Sequence, residues 1–289
     1  MKYLYYPGCS LEASAGEYDR SSRAFLAAMG ADITELEDWN CCGASAAEAQ
    51  SRLLALALPA RNLAIAEKMG IARDLVVPCS ACYLNLRKVA EKIRREPGLL
   101  AELNTVLSVD GLRLRGGVRV RHLLDVVAND IGAQALRAKV SRPLKGLTIA
   151  PYYGCQCLRP YQVFDDPEAP QTMSPLIAAT GAAVHPWQMG ARCCSASLMT
   201  TKPEVGVALV AGILKAASGA DAIATVCPMC QMNLEAFQAK ASRFAGENLT
   251  ISVLYLPQLL GLAVGLSDSE LGLGFNLALT AGLRNKLAA

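Results

Sequence analysis

The sequence predicts an α/β protein built from two tandem homologous halves, each a small, mostly parallel sheet with flanking helices, related by a pseudo-two-fold duplication. Three observations predict it. The cysteines recur twice in the same order. β-rich runs alternate with helical ones on both sides of the chain's midpoint. Between the two sides, Ser141-Arg142-Pro143-Leu144-Lys145-Gly146 brings Pro and Gly together and reads as a linker. The expected division is therefore residues 1–143 and 144–289.

Taken in order, Tyr3 to Tyr6, Ile33 to Leu36 and Leu75 to Val77 read as short strands, with helical patterns at Ser21 to Met29 and Ala46 to Met69. In the second half Leu147 to Ala150 and Ala222 to Val226 read as strands and Val205 to Ala217 as a helix. Cys79 and Cys82 introduce one helical run, and Cys227 and Cys230 another, where Pro228 suits the first turn because its missing N–H would be unpaired there anyway.

Composition narrows the function classes. Of 289 residues, 53% are hydrophobic and 18% charged, so each half can bury a core and disorder is excluded. A net charge of +3 with scattered basic residues gives no footprint for nucleic acid, and Arg87 to Arg95 reads as a solvated helix face. The start, MKYLYYPGCS, is neither a signal nor a transit peptide. The apolar stretches Val205 to Val226 and Leu249 to Leu266 are interrupted by Lys215 and Asp221, and by Pro257 and Gln258. A membrane span needs ~20 nearly unbroken apolar residues, so both read as buried elements, with docking as the alternative for the tail. The expected location is the cytoplasm.

Eleven cysteines, an odd number in a long chain, do not suit a secreted disulfide scaffold. They form two sets. Cys9, the Cys41-Cys42 pair, and Cys79 with Cys82 make the first; Cys155, the Cys193-Cys194 pair, and Cys227 with Cys230 make the second. The offsets between copies are 146, 152 and 148 residues, and Tyr6-Pro7-Gly8-Cys9 is echoed by Tyr152-Tyr153-Gly154-Cys155.

Five cysteines of this kind suggest a multinuclear metal centre. Adjacent Cα atoms lie ~3.8 Å apart, below the ~4.4–6.8 Å that a disulfide spans, so the vicinal pairs do not suit disulfides. One Zn²⁺ takes four ligands and would leave a fifth thiolate over. A cluster of several irons has more coordination positions and prefers thiolate. Gly8 and Gly154 allow tight turns towards the site, and helix N-termini favour the thiolates that follow them. Taken one at a time, a Cys-x-x-Cys also suits zinc or a thioredoxin-like site, and a single cysteine is simply a small buried residue.

The order Cys, Cys-Cys-Gly, Cys-x-x-Cys, repeated, resembles the CCG-domain family and, within it, the B subunits of heterodisulfide reductase. Extended blocks add to the likeness: Tyr5 to Ser10, Trp39-Asn40-Cys41-Cys42-Gly43, Gly154-Cys155 followed by Leu158-Arg159-Pro160, Gly261 to Leu266 and Glu270 to Leu273. The resemblance covers almost the whole chain. It implies two non-cubane [4Fe-4S] clusters. One would be held by Cys9, Cys41, Cys42, Cys79 and Cys82, the other by Cys155, Cys193, Cys194, Cys227 and Cys230. It further implies reductive cleavage of a disulfide between the clusters, in methanogens that of coenzymes M and B. Electrons would come from a flavin-containing subunit (A type) through a small ferredoxin-like [4Fe-4S] subunit (C type). No dinucleotide fingerprint or ferredoxin cysteine run is present, in keeping with electrons supplied by partners.

Two features depart from the pattern. Ser195 stands where the first copy has Gly43, which predicts a differently shaped loop. Cys157 has no counterpart and reads as a small buried residue, with a thiol beside the cluster or a replacement ligand as alternatives. Arg159 and Arg192 flank the second cysteine set and are candidates for holding an anionic substrate group. His122 and His185 show no partner constellation and read as packing or as hydrogen bonds behind the ligands. Besides disulfide reduction, two readings stay open: an iron–sulfur electron-transfer subunit of a succinate, fumarate or glycolate enzyme, and a zinc-stabilised structural protein.

Overall fold

A computed structural model describes residues 1–44 and 46–288. Two four-stranded sheets form, each wholly parallel. The first contains β1 (Lys2–Tyr5), β2 (Asp32–Glu35), β3 (Asp74–Val77) and β4 (Arg119–His122) in the order β2-β1-β3-β4. The second contains β5 (Thr148–Tyr152), β6 (Ala183–Val184), β7 (Ala222–Thr225) and β8 (Ser252–Tyr255) in the order β6-β5-β7-β8. Parallel neighbours need crossover connections, which the intervening helices supply, and those helices cover the sheet faces. Hence β3, β7 and β8 are buried at every position. The identical strand order makes the duplication structural as well as sequential.

Local chemistry sets the helix limits. The long run expected from Ala46 to Met69 is two helices, Ala46–Gln50 and Arg52–Met69. Ser51 leaves helical geometry between them and caps the second by accepting the Leu54 N–H at 3.3 Å. That helix ends at Gly70, whose φ of 63° few other residues adopt. Pro228 opens the helix Pro228–Ala236 as expected.

Two strands were not expected, β4 and β6, and β8 lay inside a tail read only as buried. In β4 the sequence Arg-Val-Arg-His hides its fold, because Arg121 is buried within an ionic network. Its guanidinium donates to Asp125 at 2.7 and 2.9 Å and to Asp130 at 2.6 Å. The tail supplies β8 and the buried helix Leu256–Ala263, so this part of it is core.

The halves exchange their closing helices. Leu256–Ala263, following β8, packs against Gly16–Ala28 of the first half, and Gly132–Lys139, beyond β4, packs against Met173–Ala179 of the second. One apolar core accordingly runs through both halves, from Leu4 and Val76 to Ile149, Leu254 and Leu259. Among the described residues no helix is long and apolar enough to cross a membrane.

Candidate metal centres

Sheet topology gathers the cysteines. In each sheet the chain runs from the first strand to one flank and then crosses to the other, which opens a crevice at the carboxyl ends of the strands. Cys9 follows β1, the Cys41-Cys42 pair follows β2, and Cys79 follows β3 as N-cap of the helix Ser80–Arg95. The second half repeats this, with Cys227 as N-cap of Pro228–Ala236. Gly8 and Gly154 have φ of +74° and +69°, and a Cβ on either would stand 2.9 Å from Cys82 Sγ or Cys230 Sγ. Both the backbone hand and the closeness of sulfur require glycine there.

Matching hydrogen bonds shape the two recesses. Tyr6 Oη donates to the Asn40 carbonyl at 2.8 Å and Tyr152 Oη to that of Arg192 at 2.7 Å, each just before a vicinal cysteine pair. Asn85 Nδ2 donates to the Cys42 carbonyl at 3.0 Å, and Asn233 Nδ2 to the Cys194 carbonyl at 2.6 Å. Backbone N–H groups of Gly43 and Ser195 point at Cys41 Sγ and Cys193 Sγ at 3.4 and 3.3 Å. Trp39 packs on Tyr6, and Trp187 on Tyr152.

These supports escaped the sequence reading, although their signal was present. Each Cys-x-x-Cys extends to Cys-x-x-Cys-x-x-Asn, and each lone cysteine follows a Tyr three residues earlier. The loop at Ser195 needs a correction. With φ +60° it adopts the same left-handed turn as Gly43 at +74°, because its hydroxyl donates to the Gly206 carbonyl at 3.1 Å.

All eleven cysteines are free thiols. In the first recess Cys9 Sγ lies 3.7 Å from Cys41 Sγ, and Cys42 Sγ 3.4 Å from Cys82 Sγ. In the second, a cavity of about 60 Å³ is lined by all five cysteines of the set, Cys155, Cys193, Cys194, Cys227 and Cys230. Hydrogen bonding with Cys41 and Cys82 lowers the Cys42 thiol to about 4. That with Cys155 lowers Cys193 to about 6, and that with Cys230 lowers Cys227 to about 7. Their partners Cys41, Cys82, Cys155 and Cys230 are raised in turn, as expected where thiols share protons.

Among the described residues no three His, Cys, Asp or Glu side chains are posed around a single metal ion. Recesses rich in thiols, buried at Cys42, Cys79, Cys82, Cys194, Cys227 and Cys230 and open at Cys9, Cys41 and Cys193, fit a group that takes thiolates at several points. Iron–sulfur clusters are such a group.

The other candidates separate. Arg159 is engaged: it donates to the carbonyls of Pro167 (3.2 Å) and Ala191 (2.6 Å) and pairs with Glu168 at 3.1 Å. It braces a loop against the Cys193-Cys194 segment. Arg192 is exposed, and among the described residues its guanidinium has no hydrogen-bond partner. Both line an open cavity of about 970 Å³ that also reaches Trp187 and Cys193. Cys157 is buried, donates to the Tyr153 carbonyl at 3.2 Å, and lies outside the five-cysteine lining. Burial pushes its thiol up. His185 packs beside Trp187 with Nε2 3.2 Å from the Ala216 carbonyl.

The recesses meet at the seam between the halves. Ser80, next to Cys79, donates to the carbonyl of Val226, next to Cys227, at 3.2 Å. Tyr18 stacks on Tyr255 at 4.0 Å and donates to the Pro78 carbonyl at 3.1 Å.

Comparison with known proteins agrees with this geometry. The cysteine-rich CCG domain model matches residues 3–87 and 149–235. The chain is 33% identical to the 8-methylmenaquinol:fumarate reductase membrane anchor subunit of Wolinella succinogenes, over 96% of each chain. It is 29% identical to a protein of Archaeoglobus profundus that is like the B subunit of heterodisulfide reductase, over 93% of each. It is 28% identical to the B subunit of the ferredoxin/F(420)H(2)-dependent CoB-CoM heterodisulfide reductase of Methanosarcina acetivorans, over 95% of this chain and 93% of that one. In fold it resembles a hypothetical protein from Helicobacter pylori, with a TM-score of 0.79 and 18% identity, covering 97% of this chain but only 52% of that one. The chain belongs to the CCG cysteine-rich domain family, with one domain in each half.

Proposed function

We propose that this chain is an iron–sulfur subunit of a multi-subunit oxidoreductase and that it acts as the disulfide-cleaving B subunit of a heterodisulfide reductase-like complex. Residues 1–143 would carry one centre and residues 144–289 the other. The observation behind this is that Ser80, next to Cys79 of the first cysteine set, crosses the seam to the Val226 carbonyl and lines the cavity formed by the five cysteines of the second. The likeness to heterodisulfide reductase B subunits supports it.

Cys9, Cys41, Cys42, Cys79 and Cys82 would hold the first cluster, and Cys155, Cys193, Cys194, Cys227 and Cys230 the second. Bound there, non-cubane [4Fe-4S] clusters would supply single-electron steps and soft iron that accepts sulfur. The conversion takes a disulfide, two electrons and two protons to two thiols. The protein's own part is positional. The tyrosines and asparagines fix the vicinal pairs, buried walls exclude water, and Arg192 offers an exposed cation beside Cys193 for an anionic substrate group. A ferredoxin-like subunit and a flavin subunit would deliver the electrons.

A second reading is electron transfer without disulfide chemistry, favoured by the identity to the Wolinella fumarate reductase subunit. Anaerobic protein and a chemically reduced viologen separate the two. The first predicts thiol release from the CoM–CoB heterodisulfide or a related one; reoxidisable centres with no thiol released would overturn it in favour of the second.

A further inference from the structure

A separate cavity of about 530 Å³ opens away from the cysteines. It shares no lining residue with the second recess or with the open cavity beside Trp187, and no cysteine lines it. Its volume is that of an ordinary small-molecule site, ~300–1,000 Å³. Distant stretches of chain build it. The helix Gly16–Ala28 of the first half brings Arg20, the linker brings Arg142, β8 brings Leu254, and the tail from Asp268 to Ala288 supplies the rest.

Floor and rim differ in chemistry. Leu254, Leu273 and Leu283 are buried and make an apolar floor. Phe275 also lines the space yet is 64% exposed, an apolar area that an occupant would cover. Around them stand Arg20, Arg142 and Arg284, all exposed. Arg20 donates to the Ser269 carbonyl at 3.3 Å, and its guanidinium lies 5.6 Å from the centre of the Phe275 ring. Arg142 is fixed through its backbone, whose N–H donates to the Ala263 carbonyl at 2.9 Å. Among the described residues neither Arg142 nor Arg284 has a side-chain hydrogen bond or an ion pair. One carboxylate, Asp268, faces the same space against the three guanidiniums, so the rim is positive.

An inorganic anion would satisfy the guanidiniums and leave the floor wet. A neutral apolar molecule would cover the floor and leave the guanidiniums unused. An anionic head on an apolar chain uses both. The floor is recessed, which suits a single chain entering from solution, whereas a flat bilayer surface would reach only Phe275. We propose that this cavity binds a free long-chain carboxylate, its chain laid on Leu254, Leu273 and Leu283 and its head held by Arg142 and Arg284. The planar guanidinium fork matches a carboxylate. Arg20, engaged with Ser269 and Phe275, braces the wall and adds positive charge. Such an occupant touches the first half, the linker and the tail together, so its binding ties the halves to one another.

The test is isothermal titration calorimetry of the anaerobic full-length protein with octanoate, decanoate and dodecanoate, each below its micellar concentration. Dodecanoate should bind once per chain, and each added methylene should tighten binding about fourfold. It should also raise the Tm of the wild-type protein. Arg142→Gln and Arg284→Gln should each weaken binding about tenfold. Both should leave the Tm of the free protein unchanged, because neither side chain is bonded in the fold. Absence of dodecanoate binding overturns the proposal. So does equal affinity for decanol and decanoate, or full affinity in both arginine variants, since either would mean unspecific apolar adsorption. Binding to phosphatidylglycerol vesicles without binding of free dodecanoate overturns it in favour of a membrane contact. None of these results bears on the cysteine recesses, so the proposal fails or stands apart from the cluster reading.

Discussion

Replacing Gly154 by alanine should empty the second centre and leave the first. Two costs are combined at this position. The backbone φ of +69° is left-handed, which costs an L-residue with a Cβ about 1–2 kcal/mol. The new Cβ would also lie 2.9 Å from Cys230 Sγ, where ordinary contact begins at 3.4 Å. The sulfur would have to retreat by the difference, 0.5 Å, yet Cys230 is 4% exposed and sits in the first turn of a packed helix. A ligand sulfur displaced this far leaves the bonding range of iron, since metal–sulfur geometry tolerates about 0.2 Å. The assay is iron and acid-labile sulfide per chain after anaerobic purification, with EPR. Gly154→Ala should retain about half the wild-type iron, an expectation that follows from two equal centres. Gly8→Ala, which meets Cys82 Sγ at the same 2.9 Å, should lose the other half. Gly246→Ala is the control, because its φ is also +69° but nothing lies within 4 Å of the added carbon. It should lower stability and keep all the iron. Full iron and both signals in Gly154→Ala would refute the placement of Cys230 as a ligand.

Three further outcomes follow from particular side chains. Glu235 is buried and its carboxyl is raised to about 7 by desolvation, against an unfolded value near 4.5. The folded state then holds the extra proton between those pH values, so stability falls as pH rises from about 4.5 to 7, by ~3 kcal/mol in all. Glu235→Gln keeps an acceptor for the Ala278 N–H and should remove most of that slope in urea titrations at pH 5 and pH 8; an unchanged slope would count against it. Arg159→Ala removes donors from two carbonyls and should lower the melting temperature. Arg192→Ala should leave it unchanged and instead raise KM for an anionic disulfide; the reverse pattern would reverse their roles. Cys157→Ala should keep full iron and sulfide content, and a loss of either would make Cys157 a ligand.

The parts of the fold legible in sequence were those where side-chain identity is itself the chemistry. Cysteine spacing disclosed the duplication, and Gly8 and Gly154 disclosed the turns, because few other residues can serve there. The supports were harder to read, since Tyr6, Tyr152, Asn85 and Asn233 act on backbone carbonyls that no local pattern exposes. β4 was hidden because Arg121 is a charged residue that is buried only by virtue of the carboxylates of Asp74, Asp125 and Asp130 gathered around it in the fold. The Ser195 loop was misjudged because a side-chain hydrogen bond to Gly206, eleven residues on, stabilises a turn that glycine makes unaided. Neither feature could be inferred locally: the exchanged helices arise only when the halves pack, and the pairing of Ser80 with His122, at 3.2 Å, only when β3 and β4 lie side by side.

The central claim is that each half holds its own iron–sulfur cluster. Anaerobic purification followed by iron, acid-labile sulfide and zinc determination, with EPR of the oxidised and reduced protein, tests it most directly. The account predicts a coloured protein with equimolar iron and sulfide, divided equally between two distinguishable centres. A colourless protein with stoichiometric zinc and no labile sulfide would contradict it.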